Sequence, residues 1–220
     1  MPLGRYEEAI APLSAATQLK PNGATVQYGL ATAYGGLGRY EEAIQPLLIV
    51  NRLVPNNAQA KLDLAMVYDL CKRHEDAIAK YKEYIELNTN DVQAYLNLAA
   101  DYQMTYRINE AIATCKRVIE IDPNNITAHA RLIGHYRLLR DYQSAARSII
   151  EALRIDPENV EALEALSLRS LRLTRGGQFC IHELAKMCGV WYLSTRLRTS
   201  TYQLIVDIRP LKEGGRVKEH

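Results

Sequence analysis

The 220-residue chain has a single tryptophan, Trp191, and a single phenylalanine, Phe179, so 14 tyrosines carry nearly all of its aromatic character. Its four cysteines, Cys71, Cys115, Cys180 and Cys188, form no Cys-x-x-Cys pair, and the first two fall in apolar-periodic segments. A disulfide framework is excluded on that spacing. No apolar run approaches the roughly 18 residues of a membrane span, and Met1 is followed by Gly4, Arg5, Glu7 and Glu8 where a signal peptide would need an apolar stretch. The expected setting is a soluble chain in a reducing compartment, the cytoplasm. Charge of one sign is also scarce, with 27 Lys+Arg against 25 Asp+Glu and a net of +2, so no polyanionic partner is demanded. No Gly-rich phosphate loop follows a strand. The pair Gly35-Gly36 is read as a hairpin turn, and nucleotide binding is not indicated.

What is present is a period. The heptapeptide GRYEEAI begins at Gly4 and again at Gly38, a shift of 34 residues. The same shift reaches Lys72-Arg73-His74-Glu75-Asp76-Ala77, then Tyr106 to Ala111, then Arg140 to Ala145. A second marker keeps step: Pro21, Pro55, Pro123 and Pro157, with Thr89 at the third place. Proline cannot continue a helix and biases the residue before it away from helical geometry, so Asp122 and Asp156 are predicted to close helices. The Asn and Asp residues that follow are cap formers for the next one. Between the markers, apolar residues recur at helical spacing twice per unit, as in Ala58 to Leu70 and Asp76 to Leu87. Small residues return at fixed places, Ala31, Ala65 and Ala99 in the first helix and Ala43, Ala77, Ala111 and Ala145 in the second. Tyr34, Tyr68, Tyr102 and Tyr136 stand beside them to fill the wider gaps.

These features resemble the tetratricopeptide repeat (TPR), across residues 4–172. The resemblance implies an all-α, right-handed superhelical solenoid of antiparallel helix pairs with an irregular C-terminal tail. One departure is that the aromatic expected early in the first helix survives only as Tyr95, with Gln27, Lys61, His129 and Leu163 at the other places. The predicted organisation is a partial repeat over 1–23 (second helix only), full repeats over 24–57, 58–91, 92–125 and 126–159, a degenerate last helix over 160–175, and a non-repeat tail over 176–220. Met1 leaves no room for the first unit's first helix, so the array is expected to open in mid-repeat, as a truncated chain or one with a late start codon would.

Arrays of this family bind an extended peptide or partner helix along the concave face made by the first helices. Matching register places Thr25, Tyr28 and Thr32 there, then Gln59, Leu62, Asp63 and Met66, then Gln93, Leu96, Asn97 and Gln103, then Thr127, Arg131 and Arg137. Tyr28, Met66 and Leu96 are expected as apolar anchors, and Asp63, Asn97 and Arg131 as orienting groups. The family's chaperone-tail clamp is not matched, since only Asn97 and Arg131 of its five residues are present and Leu62, Met66 and Thr127 hold the other places. The asparagine ladder of the O-linked N-acetylglucosamine transferase array is absent as well, with Gly29, Asp63, Asn97 and Arg131 at its register. The resemblance implies a protein-interaction scaffold for a protein or peptide partner, not an enzyme, with no cofactor and no small-molecule substrate. The alternative is the recognition arm of a larger enzyme such as a transferase.

Other constellations carry little chemistry. Glu7-Glu8 and Glu41-Glu42 sit in first turns of second helices, where carboxylates complement the helix dipole without catalysis. Cys180, His182 and Cys188 supply three soft ligands with no fourth nearby, so no metal is expected. His74, His129, His135 and His220 are scattered and are read as packing or surface residues. Residues 1–168 carry 17 Lys+Arg against 21 Asp+Glu, and residues 169–220 carry 10 against 4. Nucleic-acid or membrane contact by that basic end, with Arg196, Arg198 and Arg209, is not expected, because a solvated basic tail is the commoner case. For the tail itself two readings stay open: a capping helix near Ile181 to Met187 followed by a poorly ordered end, or an unrelated tail fused to a broken array. It also contains the β-prone stretch Tyr202 to Val206.

Overall fold

The cap residues explain where each helix of the computed structural model begins. Asn57, Asp91, Asn125 and Asn159 recur every 34 residues, and the first three stand as N-caps of α4 (Ala58–Leu70), α6 (Val92–Met104) and α8 (Ile126–Leu138). Asn159 plays the same part for α10 (Val160–Leu166). Each side chain accepts a hydrogen bond from the backbone N–H three residues on, at 3.0–3.1 Å. Gly23, at the same register before α2 (Ala24–Gly36), has no side chain to do so.

The second helices are α1 (Leu3–Leu19), α3 (Tyr40–Leu53), α5 (His74–Leu87), α7 (Ile108–Ile121) and α9 (Tyr142–Ile155). They start up to two residues earlier than periodicity suggests, since His74 and Glu75 already belong to α5. Asp122 and Asp156 are C-caps, as the following prolines require. Gly35 and Gly36, read from sequence as a turn, are instead the last two residues of α2, and the chain reverses at Leu37-Gly38.

That reversal is the same in four consecutive hairpins. Gly38, Lys72, Tyr106 and Arg140 take positive φ of 73°, 59°, 59° and 58°. The N–H of each next residue reaches back to the carbonyl of Tyr34, Tyr68, Tyr102 or Tyr136 at 2.8–2.9 Å, which closes the first helix in a Schellman motif. In three of the four hairpins, the guanidinium that follows, of Arg39, Arg73 or Arg107, stacks 4.6–4.9 Å from the ring of that tyrosine. It also pairs with Glu42, Asp76 or Glu110 three residues on.

The structure describes residues 3–166 and the backbone of 191–197 and 204–210. The described residues fall in two units, 1–123 and 124–220. In the first, α2 to α7 alternate as antiparallel neighbours around a core that includes Ala31, Ala43, Leu64, Ala65, Ala77, Tyr81 and Ala111. The alanines chosen by register are 0–4% exposed, so they do let paired helices approach. Tyr6 of α1 lies on Gly36 so closely that a Cβ there would meet its ring at 2.5 Å. The second unit packs α8, α9 and α10 around Ile133, Ile149, Ala152, Leu153, Ala162 and Ala165.

In the segment expected to be an irregular tail, β1 (Trp191–Leu197) and β2 (Leu204–Pro210) pair antiparallel, with Leu197 opposite Leu204. The β-prone Leu204-Ile205-Val206 opens β2. The expected capping helix near Ile181 to Met187 and the degenerate stretch after Leu166 lie outside the described residues.

Candidate functional site

Four of the residues placed in the groove by register form a repeated polar device on neighbouring first helices. In α4, Gln59 Nε2 donates to Asp63 Oδ1 at 2.8 Å, and in α6, Gln93 Nε2 donates to Asn97 Oδ1 at 2.9 Å. Residues four apart meet on one helix face, so a 34-residue sequence repeat becomes a repeat of the same hydrogen bond. Each acceptor is tied down a second time. The Tyr28 hydroxyl of α2 donates to Asp63 Oδ2 at 2.5 Å, and Asn97 Nδ2 donates to the Tyr81 hydroxyl of α5 at 3.2 Å. Burial, the Asp63 bond and the Asp63 charge together push the Tyr28 phenol up to about 12. Burial also raises that of Tyr81.

Apolar anchors are fewer than expected. Met66 is 43% exposed and free to meet a partner, but Leu96 is 6% exposed and belongs to the interior. Tyr28, at the same register as Leu96 and Leu62, is half-buried and spends its hydroxyl on Asp63. Gln103 of α6 is exposed. Exposed Leu70 and Met104, one repeat apart near the ends of α4 and α6, are apolar surface that register reasoning passed over. Arg131 (half-buried) and Arg137 (exposed) lie on α8 in the second unit.

A second constellation lies between the ends of the first helices. His74, the first residue of α5, places Nδ1 2.7 Å from Asp101 Oδ1 of α6 and 3.5 Å from Asp69 Oδ1 of α4. One ligand atom from each of the three residues lies within 4.8 Å of the others. Asp101 is 1% exposed, and its Oδ2 meets no hydrogen-bond donor. Burial pushes its carboxyl up to about 7, the His74 bond opposing and the Asp69 carboxylate adding to the rise. His74 is expected from the sequence as a packing or surface residue, and nothing in the repeat pattern marks Asp69 or Asp101. The three occupy different registers, whose equivalents one repeat on are Ile108, Gln103 and His135.

His129 and His135 are buried on α8, as packing histidines, and burial with the Arg131 charge lowers the pKa of His135. Cys180, His182 and Cys188 lie outside the described residues. No described helix is long and apolar enough to cross a membrane.

Comparison with known proteins bears on the fold. The chain is similar to the solved structure of YrrB, described as a TPR protein with an unusual peptide-binding site, at 24% identity over 74% of this chain and 84% of that one, with a TM-score of 0.66. It is similar to MamA at 23% identity over 72% and 92% of the two chains, TM-score 0.63. It is also similar to MamA from Desulfovibrio magneticus RS-1 at 22% identity over 71% and 89%, TM-score 0.61. At these identities the likeness is one of fold. No curated protein sequence matches the chain. A TPR repeat model matches residues 2–38 and two tetratricopeptide repeat models match residues 28–92 and 92–125, so more than half of the sequence carries the repeat and the chain belongs to the tetratricopeptide repeat family.

Proposed function

We propose that the chain is a binding scaffold whose first helices, on their concave side, hold an extended peptide or a peptide-like segment of a partner protein. The observation that carries this reading is the doubled Gln-to-acceptor pair, Gln59–Asp63 and Gln93–Asn97, each braced from an adjacent helix. Polar side chains fixed before a ligand arrives lose little rotamer entropy on binding, which favours affinity for the repeating N–H and C=O groups of an extended chain. Asp63 is an acceptor with a negative charge, whereas Asn97 both donates and accepts. The favoured partner therefore presents N–H groups or a cation opposite Asp63 and an amide opposite Asn97. Met66 supplies the apolar contact beside them, and Leu70 and Met104 add exposed apolar surface near the helix ends. YrrB, a TPR protein with an unusual peptide-binding site, lends support by its likeness of fold.

The test is a selection of extended peptides by display against the purified full chain, followed by affinity measurements. Asp63→Ala and Asn97→Ala are expected to weaken a selected peptide at least tenfold, with Glu86→Ala on exposed α5 surface leaving it unchanged. Affinity indifferent to both groove substitutions would contradict the reading. Arg131→Ala and Arg137→Ala, in the second unit, are measured separately.

A further inference from the structure

We propose that Asp69, His74 and Asp101 form a binding site for a divalent first-row transition-metal ion, with one ligand atom from each of three helix ends. The site is independent of the peptide-binding reading and uses none of its residues.

Asp69 lies near the end of α4, His74 opens α5 and Asp101 lies in the last turn of α6, so three consecutive helices each bring one donor to a single point. Their ligand atoms lie within 4.8 Å of one another, and the His74 Nδ1 distances are 2.7 Å to Asp101 and 3.5 Å to Asp69. Ligands at about 2.0–2.1 Å from a tetrahedral zinc ion stand about 3.3 Å apart. The shorter of the two distances has to open by only about half an ångström, and the longer one fits already.

Asp101 is the observation that points to a ligand. Its side chain is 1% exposed, and Oδ2 is buried with no donor. A carboxylate buried this deeply is costly to keep charged, and here a second carboxylate, from Asp69, is close enough to share a hydrogen bond with it when one of the two is protonated. A cation between them would take the place of that shared proton and neutralise both carboxylates. Two carboxylates and one imidazole balance a doubly charged ion, and the nitrogen donor favours zinc, manganese, iron or cobalt over calcium or magnesium. Access is open from one side, where the Asp69 and His74 side chains are 40% and 18% exposed. A water would complete four-coordination.

The experiment titrates zinc ion alone into the full chain carrying Cys180→Ser and Cys188→Ser, which removes the soft donors of the tail, with a chromophoric chelator as competitor. One equivalent is expected to bind. Binding is expected to fall at least tenfold in Asp69→Asn and in His74→Gln, each made in that background, and zinc is expected to raise the melting temperature of the background protein but not of these two. Asp69 is half-exposed, so its replacement leaves the helices folded, and circular dichroism verifies this for both variants. Absence of stoichiometric binding, or binding that survives both substitutions, overturns the site.

Discussion

The Tyr28 hydroxyl donates to Asp63 across the joint between α2 and α4, at 2.5 Å, making one groove residue the brace of another. A hydrogen bond to a charged acceptor is worth about 1.5–3 kcal/mol when well shielded, and partial exposure places this one near the lower bound. Tyr28→Phe is expected to cost about 1.5 kcal/mol in urea unfolding. Because the folded pKa is raised to about 12 from the ordinary 10, the Tyr28 contribution is complete below pH 10 and is lost as pH rises from there towards 12. Tyr28→Phe unfolding curves that match the parent protein at neutral pH would remove the brace from the account.

The left-handed residues after each first helix give a test of backbone strain. Gly38 tolerates its φ of 73°, whereas Tyr106 adopts 59° and is 90% exposed, so its side chain gains little in return. Tyr106→Gly is expected to stabilise the chain by up to about 1 kcal/mol, and Gly38→Ala to destabilise it by about the same amount. Thermal unfolding of the two variants checks the opposite signs.

Asp91 does two things at once. Oδ1 caps α6 by accepting from Ala94 N–H at 3.1 Å, and Oδ2 accepts from the Tyr84 hydroxyl at 2.6 Å, a bond that is the first cause of a Tyr84 pKa raised to about 12. Loss of a cap costs about 1 kcal/mol, so Asn57→Ala should cost about that and Asp91→Ala roughly twice as much. Equal losses in denaturant unfolding would show that the tyrosine bond contributes nothing.

His135 makes the second unit sensitive to acid. Burial first, and the Arg131 charge next, lower its pKa below the ordinary 6.5. The unfolded chain therefore takes up this proton before the folded one does, and stability that is whole above pH 6.5 drains as pH falls below it. Hydrogen exchange in α8 and α9 should accelerate on acidification, less so in His135→Gln. An identical pH response in that variant would assign the effect elsewhere.

Helices, caps and core alanines were legible in the sequence because one structural unit is written five times, and each copy confirms the register of the others. Ala43, Ala77, Ala111 and Ala145 are at 0% exposure for that reason. Single copies of a register were harder to read. Leu96 shares its place with half-buried Tyr28 and Leu62, at the border where a first helix turns from surface to interior, and periodicity does not say on which side a given side chain falls. The cluster of Asp69, His74 and Asp101 was invisible for a further reason. It joins three registers at one joint, and a sequence aligned repeat against repeat separates the residues that the joint brings together.

Hydrogen exchange of the full chain, with and without a display-selected peptide, shows directly whether the first helices hold it. Binding on the first helices predicts added protection in residues 58–70 and 92–104, around Asp63 and Asn97, with 74–87 and 108–121 unchanged. Protection confined to α5 and α7, or no change in α4 and α6 at saturating peptide, would contradict it.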